Sequence, residues 1–126
     1  MGLELLLVAL GGGTGALGRY LTALLAARLW GEAFPWGTLV VNLAGSFAIG
    51  VLYALGVEAG AVGPRARLFL MTGLLGGLTT FSAFSLETST LLMAGGTWQS
   101  ALNLLATVGG GLVLFVVGLM IGRILS

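Results

Sequence analysis

Cysteine, lysine and histidine are all absent from this chain of 126 residues, and only 7% of the residues are charged. Without cysteine there are no disulfides and no thiolate metal sites. Without histidine, lysine or cysteine, a serine hydroxyl has no ordinary base to activate it, so an intramembrane enzyme is a poor reading. A soluble surface normally needs about a quarter charged residues, far more than this chain has. The five arginines, Arg19, Arg28, Arg65, Arg67 and Arg123, are scattered and form no basic run, which argues against nucleic acid as a partner.

What is present is apolar: hydrophobic residues make up 58% of the chain. A bilayer core is crossed by about 20 apolar residues in a helix. Runs of that kind extend roughly over Leu3 to Arg28, Thr38 to Gly56, Leu68 to Met93 and Gln99 to Ile124. The expected fold is an all-α membrane protein with four transmembrane helices per subunit, a single channel-sized domain over residues 1–126. The start, Met1-Gly2-Leu3-Glu4, lacks the basic region of a signal peptide, so the first run is expected to be kept as a span. Short connectors hold Gly31 to Pro35, Glu58 to Arg67 and Gly95 to Trp98.

With four crossings, one side carries Arg65, Arg67 and Arg123 and the other Arg28, with Arg19 near it. Orientation follows the arginine and lysine excess in short loops, and this excess is weak. Both orientations are therefore expected together, as an antiparallel, dual-topology homodimer that makes an inverted repeat from one gene. Small pairs four apart, Gly11 with Gly15, Gly73 with Gly77 and Gly118 with Gly122, fit close helix packing. Gly13, Gly15 and Gly18 also spell a dinucleotide-binding pattern with Glu32 downstream, but no strand precedes them, and packing is the better reading.

The stretch from Gly76 to Glu87 sits in the middle of the third run and is loaded with helix weakeners and hydroxyls. Gly76, Gly77, Thr79 and Thr80 disfavour helix through backbone entropy and β-branching, so the third helix is expected to break there. Irregular chain at membrane depth survives only where it lines a cavity or is buried in protein. A break frees carbonyl oxygens able to bind a hard cation. Phe81 and Phe84, at i and i+3, share a face, and their ring edges carry partial positive charge that suits an anion.

Other polar residues have two readings each. Arg19 lies well inside the first run, where it either borders a water-filled vestibule or snorkels to the interface beside Tyr20. Asn42, early in the second run, is either interhelical glue or a pathway residue. Asn103 and Thr107, at i and i+4 on the last run, join the same polar depth.

Taken in order, Gly11-Gly12-x-x-Gly15-Ala16-x-x-Arg19-Tyr20, Gly37-Thr38-Leu39-x-Val41-Asn42-x-x-Gly45-Ser46-Phe47 and the Gly76 to Glu87 segment resemble the fluoride channel family, called Fluc or CrcB. The resemblance covers essentially the whole chain. It implies a passive channel in the cell membrane that exports fluoride, with two pathways per antiparallel dimer. It also implies a structural sodium ion at the dimer centre, held by backbone carbonyls at Gly76 and Thr79 of each subunit. Phe81 and Phe84 would then form the aromatic part of the pathway, Asn42 would orient it or donate to it, Ser82 and Thr38 would add hydroxyls, and Arg19 would lie toward a vestibule. Ala83 departs from the hydroxyl residue of many relatives, and the last helix, with Asn103 and Thr107, matches least.

The rival reading is a small proton-coupled multidrug exporter, another four-helix dual-topology dimer. That chemistry needs a membrane-central carboxylate, and Glu87 is the only acid placed to be one. A non-conducting structural subunit is the remaining alternative.

Overall fold

A computed structural model describes residues 1–126 and contains helices and connectors but no strands. Helix α1 spans Gly2–Trp30. It ends where Gly31 adopts φ 80°, a left-handed conformation that glycine enters without a Cβ clash, while its N–H still bonds the Ala27 carbonyl at 3.0 Å. Helix α2 spans Trp36–Leu52 and continues as a wider π-helical turn over Tyr53–Glu58. Helix α3, residues 64–78, opens on Pro64, whose missing N–H costs nothing in a first turn. It runs through Pro64–Arg67, a π-helical stretch Leu68–Leu75 and a final turn Gly76–Leu78. Helix α4 spans Phe81–Met93 and helix α5 spans Thr97–Leu125.

Three helical units are long and apolar enough to cross a membrane: Trp36–Glu58, Pro64–Met93 with its interruption, and Thr97–Leu125. Helix α1 is as long as α5, at 29 residues, but its glycines and Arg19 keep it less apolar than these three. Large apolar side chains cover the outside of the chain, including Leu5, Leu21, Leu105, Leu112 and Met120. Such a surface suits lipid or another membrane protein, not water.

Glycine sets the distances between helices. A Cβ on Gly11 would meet Leu74 N at 2.9 Å and Gly73 Cα at 3.0 Å, and one on Gly15 would strike the Leu74 carbonyl and Leu78 N. Helices α1 and α3 therefore lie backbone to backbone, and because residue numbers rise together along the seam, they run parallel. The same holds for α2 and α5. Gly50 fits against Phe115 and Leu119, Gly118 against Phe47 and Val51, and Gly122 against Val51 and Ala54. The small pairs picked out by their spacing of four thus lie in these two seams, as expected of close membrane packing. At one end, Arg123 closes the α2–α5 seam by donating to both carboxylate oxygens of Glu58, at 2.8 and 2.7 Å.

The interruption between α3 and α4 is narrower than its glycines suggest. Gly76 (φ −62°, ψ −38°) and Gly77 remain helical, and only Thr79 (φ −88°, ψ 153°) and Thr80 (φ −152°, ψ 121°) are extended. The reason is packing: a Cβ on Gly77 would run into the Gly12 backbone, so this glycine serves the α1–α3 seam instead of the break. The β-branched pair, whose side chains disfavour helix, forms the break itself.

Candidate functional site

Side chains from two other helices hold the break at Thr80 and at the Gly77 carbonyl. Thr80 N–H donates to Asn42 Oδ1 at 2.8 Å, and Asn42 Nδ2 donates back to the Thr80 carbonyl at 3.1 Å. One amide side chain thus replaces a strand partner for one residue. In an unbroken helix the Thr80 N–H would reach back four residues to the Gly76 carbonyl. Asn42 takes that N–H, and so leaves the Gly76 oxygen outside the ladder. Arg19 acts on the next carbonyl, with Nε donating to Gly77 O at 3.2 Å. A cation at the carbonyl end of a helix is favourably placed against the helix dipole. The following helix starts with its own cap: Thr80 Oγ1 accepts from Ala83 N–H at 3.1 Å and lies 3.2 Å from Ser82 Oγ.

A cleft of about 510 Å³ opens beside the break, among α2, α3, α4 and α5. It gathers Asn42, Gly76, Thr79, Thr80, Phe81, Phe84 and Thr107 from the residues expected at a site. Phe84 is 6% exposed and Phe81 is 78% exposed, and their rings sit 5.8 Å apart with a 50° tilt. One ring is therefore a fixed wall and the other faces outward at the rim. Gly45 admits Thr79, since a Cβ there would collide with Thr79 Cγ2. Thr79 folds its hydroxyl back to the Leu75 carbonyl at 2.8 Å, so its side-chain oxygen is already engaged.

The remaining expected residues stand apart from the cleft wall. Ser82 is exposed and pairs with Thr80. Arg19 contacts the break from the α1 side, which leaves its cationic side chain partly buried, not reaching freely to an interface. Asn103 is 1% exposed and donates to Thr88 Oγ1 at 2.9 Å, while Thr107 reaches Asn103 Oδ1 at 3.4 Å. Ser100 adds a bond to the Thr88 carbonyl at 2.9 Å. This network joins α4 to α5 and satisfies polar groups that lipid would otherwise leave bare. Thr38 belongs to a second, smaller cavity of about 160 Å³, where its hydroxyl donates to Glu87 Oε1 at 2.7 Å. The Thr38–Glu87 pair is not legible in the sequence, and Ser46, part of the Gly37 to Phe47 motif, is given no place in the pathway there although it lines the larger cleft. The signals for Ser46 are its place in that motif and its position one turn after Asn42.

An interrupted helix pinned by a neighbour's amide, beside an apolar cleft with a few convergent polar groups, defines a multi-pass α-helical membrane protein of the transport kind. The family model for CrcB-like protein, Camphor Resistance (CrcB), matches residues 6–119, and the chain belongs to this family. Relatives agree over nearly full length. A protein of Chelativorans sp. (strain BNC1) is 47% identical over 120 residues, covering 95% of this chain and 96% of that one. Another, from Opitutus terrae, is 48% identical over 121 residues (94% and 89%), and one from Roseiflexus sp. (strain RS-1) is 41% identical over 123 residues (98% and 99%). All three are named fluoride-specific ion channel FluC.

Proposed function

We propose that this protein is a passive, fluoride-selective channel of the cell membrane that lets fluoride leave the cytoplasm. The observation that carries the reading is the Asn42–Thr80 pairing, which keeps irregular backbone beside an aromatic-walled cleft in a chain whose relatives bear a fluoride-channel name. Fluoride is small and strongly hydrated, so a pathway must replace its water with donors without trapping it. Neutral amide and hydroxyl groups with aromatic edges meet that need better than a ring of cations would. A cell negative inside then drives the anion outward, by about 2.3 kcal/mol per charge per 100 mV.

The working unit is an antiparallel homodimer with four crossings per subunit, α1 included, and two pathways. The outward-facing Phe81 and the open cleft support this, because a second copy would cover both. Each subunit forms a single channel domain over residues 1–126. In this reading Asn42, Phe81, Phe84 and Thr107 border the pathway, Ser82, Thr38 and Asn103 belong to its approaches, and Arg19 supplies positive potential from behind the break.

A structural sodium ion at the dimer centre fits the residues present. No cluster of acidic side chains is placed to bind a metal, whereas the capture of the Thr80 N–H by Asn42 releases the Gly76 carbonyl at the cleft. Backbone oxygens of Gly76 and Thr79 from both copies would hold it, and hard oxygen donors suit a hard cation. When bound, the ion supplies fixed positive potential near the anion route.

Fluoride efflux from liposomes holding only this protein, read with an electrode after a potassium ionophore relieves charge build-up, tests the reading. Rapid fluoride release with negligible chloride release is expected. Retained fluoride, or pH-driven uptake of a quaternary amine that Glu87→Gln abolishes, would instead support a structural subunit or a proton-coupled exporter respectively.

A further inference from the structure

A hydroxyl inside a helix can fold back onto the carbonyl one turn earlier. Thr14, Thr22 and Thr79 do so here, bonding Leu10, Gly18 and Leu75 at 2.7, 2.7 and 2.8 Å. Among the hydroxyls that line the large cleft, those of Thr79, Thr80 and Thr107 are engaged in hydrogen bonds, whereas Ser46 makes none within the chain, although its partner four residues back would be the Asn42 carbonyl. Its Oγ is not sealed off either, since it lines the large cleft and is absent from the buried, unsatisfied groups.

The helix opposite has been cut away for it. A Cβ on Gly111 would sit 3.3 Å from Ser46 Oγ, tighter than ordinary contact, so glycine leaves that hydroxyl room. Helices α2 and α5 run parallel, and Ser46 lies one turn after Asn42 while Gly111 lies one turn after Thr107. All four residues line the cleft. The cleft therefore has two successive polar levels: Asn42 with Thr107, then the unengaged Ser46 hydroxyl facing Gly111.

We propose that Ser46 is a further anion contact, a hydroxyl donor one turn along the cleft from Asn42 that takes up fluoride as it leaves the Asn42 level. This inference rests on the channel reading above. A free hydroxyl is suited to the task because it can rotate its proton to a passing anion and let it go without the depth of a charged site.

The test is fluoride efflux from liposomes over a series of fluoride concentrations, comparing wild type, Ser46→Ala and Ser46→Thr, each checked by gel filtration. Loss of one hydrogen bond to a charged species corresponds to a change of about tenfold or more. Ser46→Ala is expected to raise the fluoride concentration at half-maximal flux by about that factor, and Ser46→Thr, which keeps the hydroxyl, to restore it. Should Ser46→Ala elute abnormally, Ser46→Gly carries the same comparison. Equal flux curves for wild type and Ser46→Ala would overturn the inference while leaving the channel reading intact. Slower flux in both variants with unchanged half-saturation would mark Ser46 as a packing residue and overturn it too. A wild-type protein that releases no fluoride would overturn the channel reading and this inference together.

Discussion

Asn42 and Thr80 are joined by a closed pair of hydrogen bonds, 2.8 Å into the side-chain oxygen and 3.1 Å out of the side-chain nitrogen. The amide plane of Asn42 therefore does for Thr80 what a neighbouring strand does for an edge residue. Both backbone groups of an extended residue at membrane depth are satisfied by one side chain.

Replacing Asn42 with Leu leaves both Thr80 groups without partners. Each orphaned group costs about 1–3 kcal/mol, so a loss of roughly 2 kcal/mol or more is expected. Thermal unfolding in detergent measures it, and fluoride efflux should fall in parallel.

The contact of Gly45 with Thr79 allows a paired test. Gly45→Ala drives a methyl into Thr79 Cγ2, and overpacking of this kind costs about 1–3 kcal/mol. Thr79→Ser alone should be mild, because it removes that methyl and keeps the hydroxyl bonded to Leu75. In the double variant the nearest remaining Thr79 atom, Cβ, lies at 3.7 Å, an ordinary contact. The two changes are therefore expected to be non-additive, with stability largely recovered, as read from a double-mutant cycle.

Gly77→Ala should be among the most damaging single-methyl changes in the chain. The added carbon meets the backbone of Gly12, which cannot rotate away as a side chain would. Separation of α1 from α3 also withdraws Arg19 from the Gly77 carbonyl. A lower melting temperature and loss of flux are expected, whereas Gly13→Ala, with open space around it, should leave both within about 0.5 kcal/mol of wild type.

The two phenylalanines should separate by assay. Phe84 is buried, and truncation to Ala should cost about 3 kcal/mol or more in stability. Phe81 is exposed in the single chain, so Phe81→Ile should leave subunit folding nearly unchanged and reduce fluoride efflux. Unchanged efflux in Phe81→Ile with an intact dimer would remove this ring from the pathway.

Helix placement was readable from apolar length, and the limits of α1, of α2 together with its π-helical continuation to Glu58, and of α5 fall within about two residues of the apolar runs because lipid fixes how long a run must be. The position of the break was only half readable. Glycine and threonine both weaken helix, and nothing local distinguishes Gly77, which is committed to Gly12, from Thr80, which is committed to Asn42. Both commitments join residues distant in sequence. Asn103 shows the same limit: a polar residue among apolar ones announces a partner, but not that the partner is Thr88. The Thr38 hydroxyl likewise gave no sign that Glu87, 49 residues away, would accept from it.

The Asn42–Thr80 clasp also bears on how the chain is made. Synthesis runs from the N-terminus, so Asn42 enters the bilayer 38 residues ahead of Thr80. When the third helix emerges from the ribosome, the group that completes its broken turn is already waiting in the membrane. Order of birth, in this protein, spares a backbone gap from ever facing lipid alone.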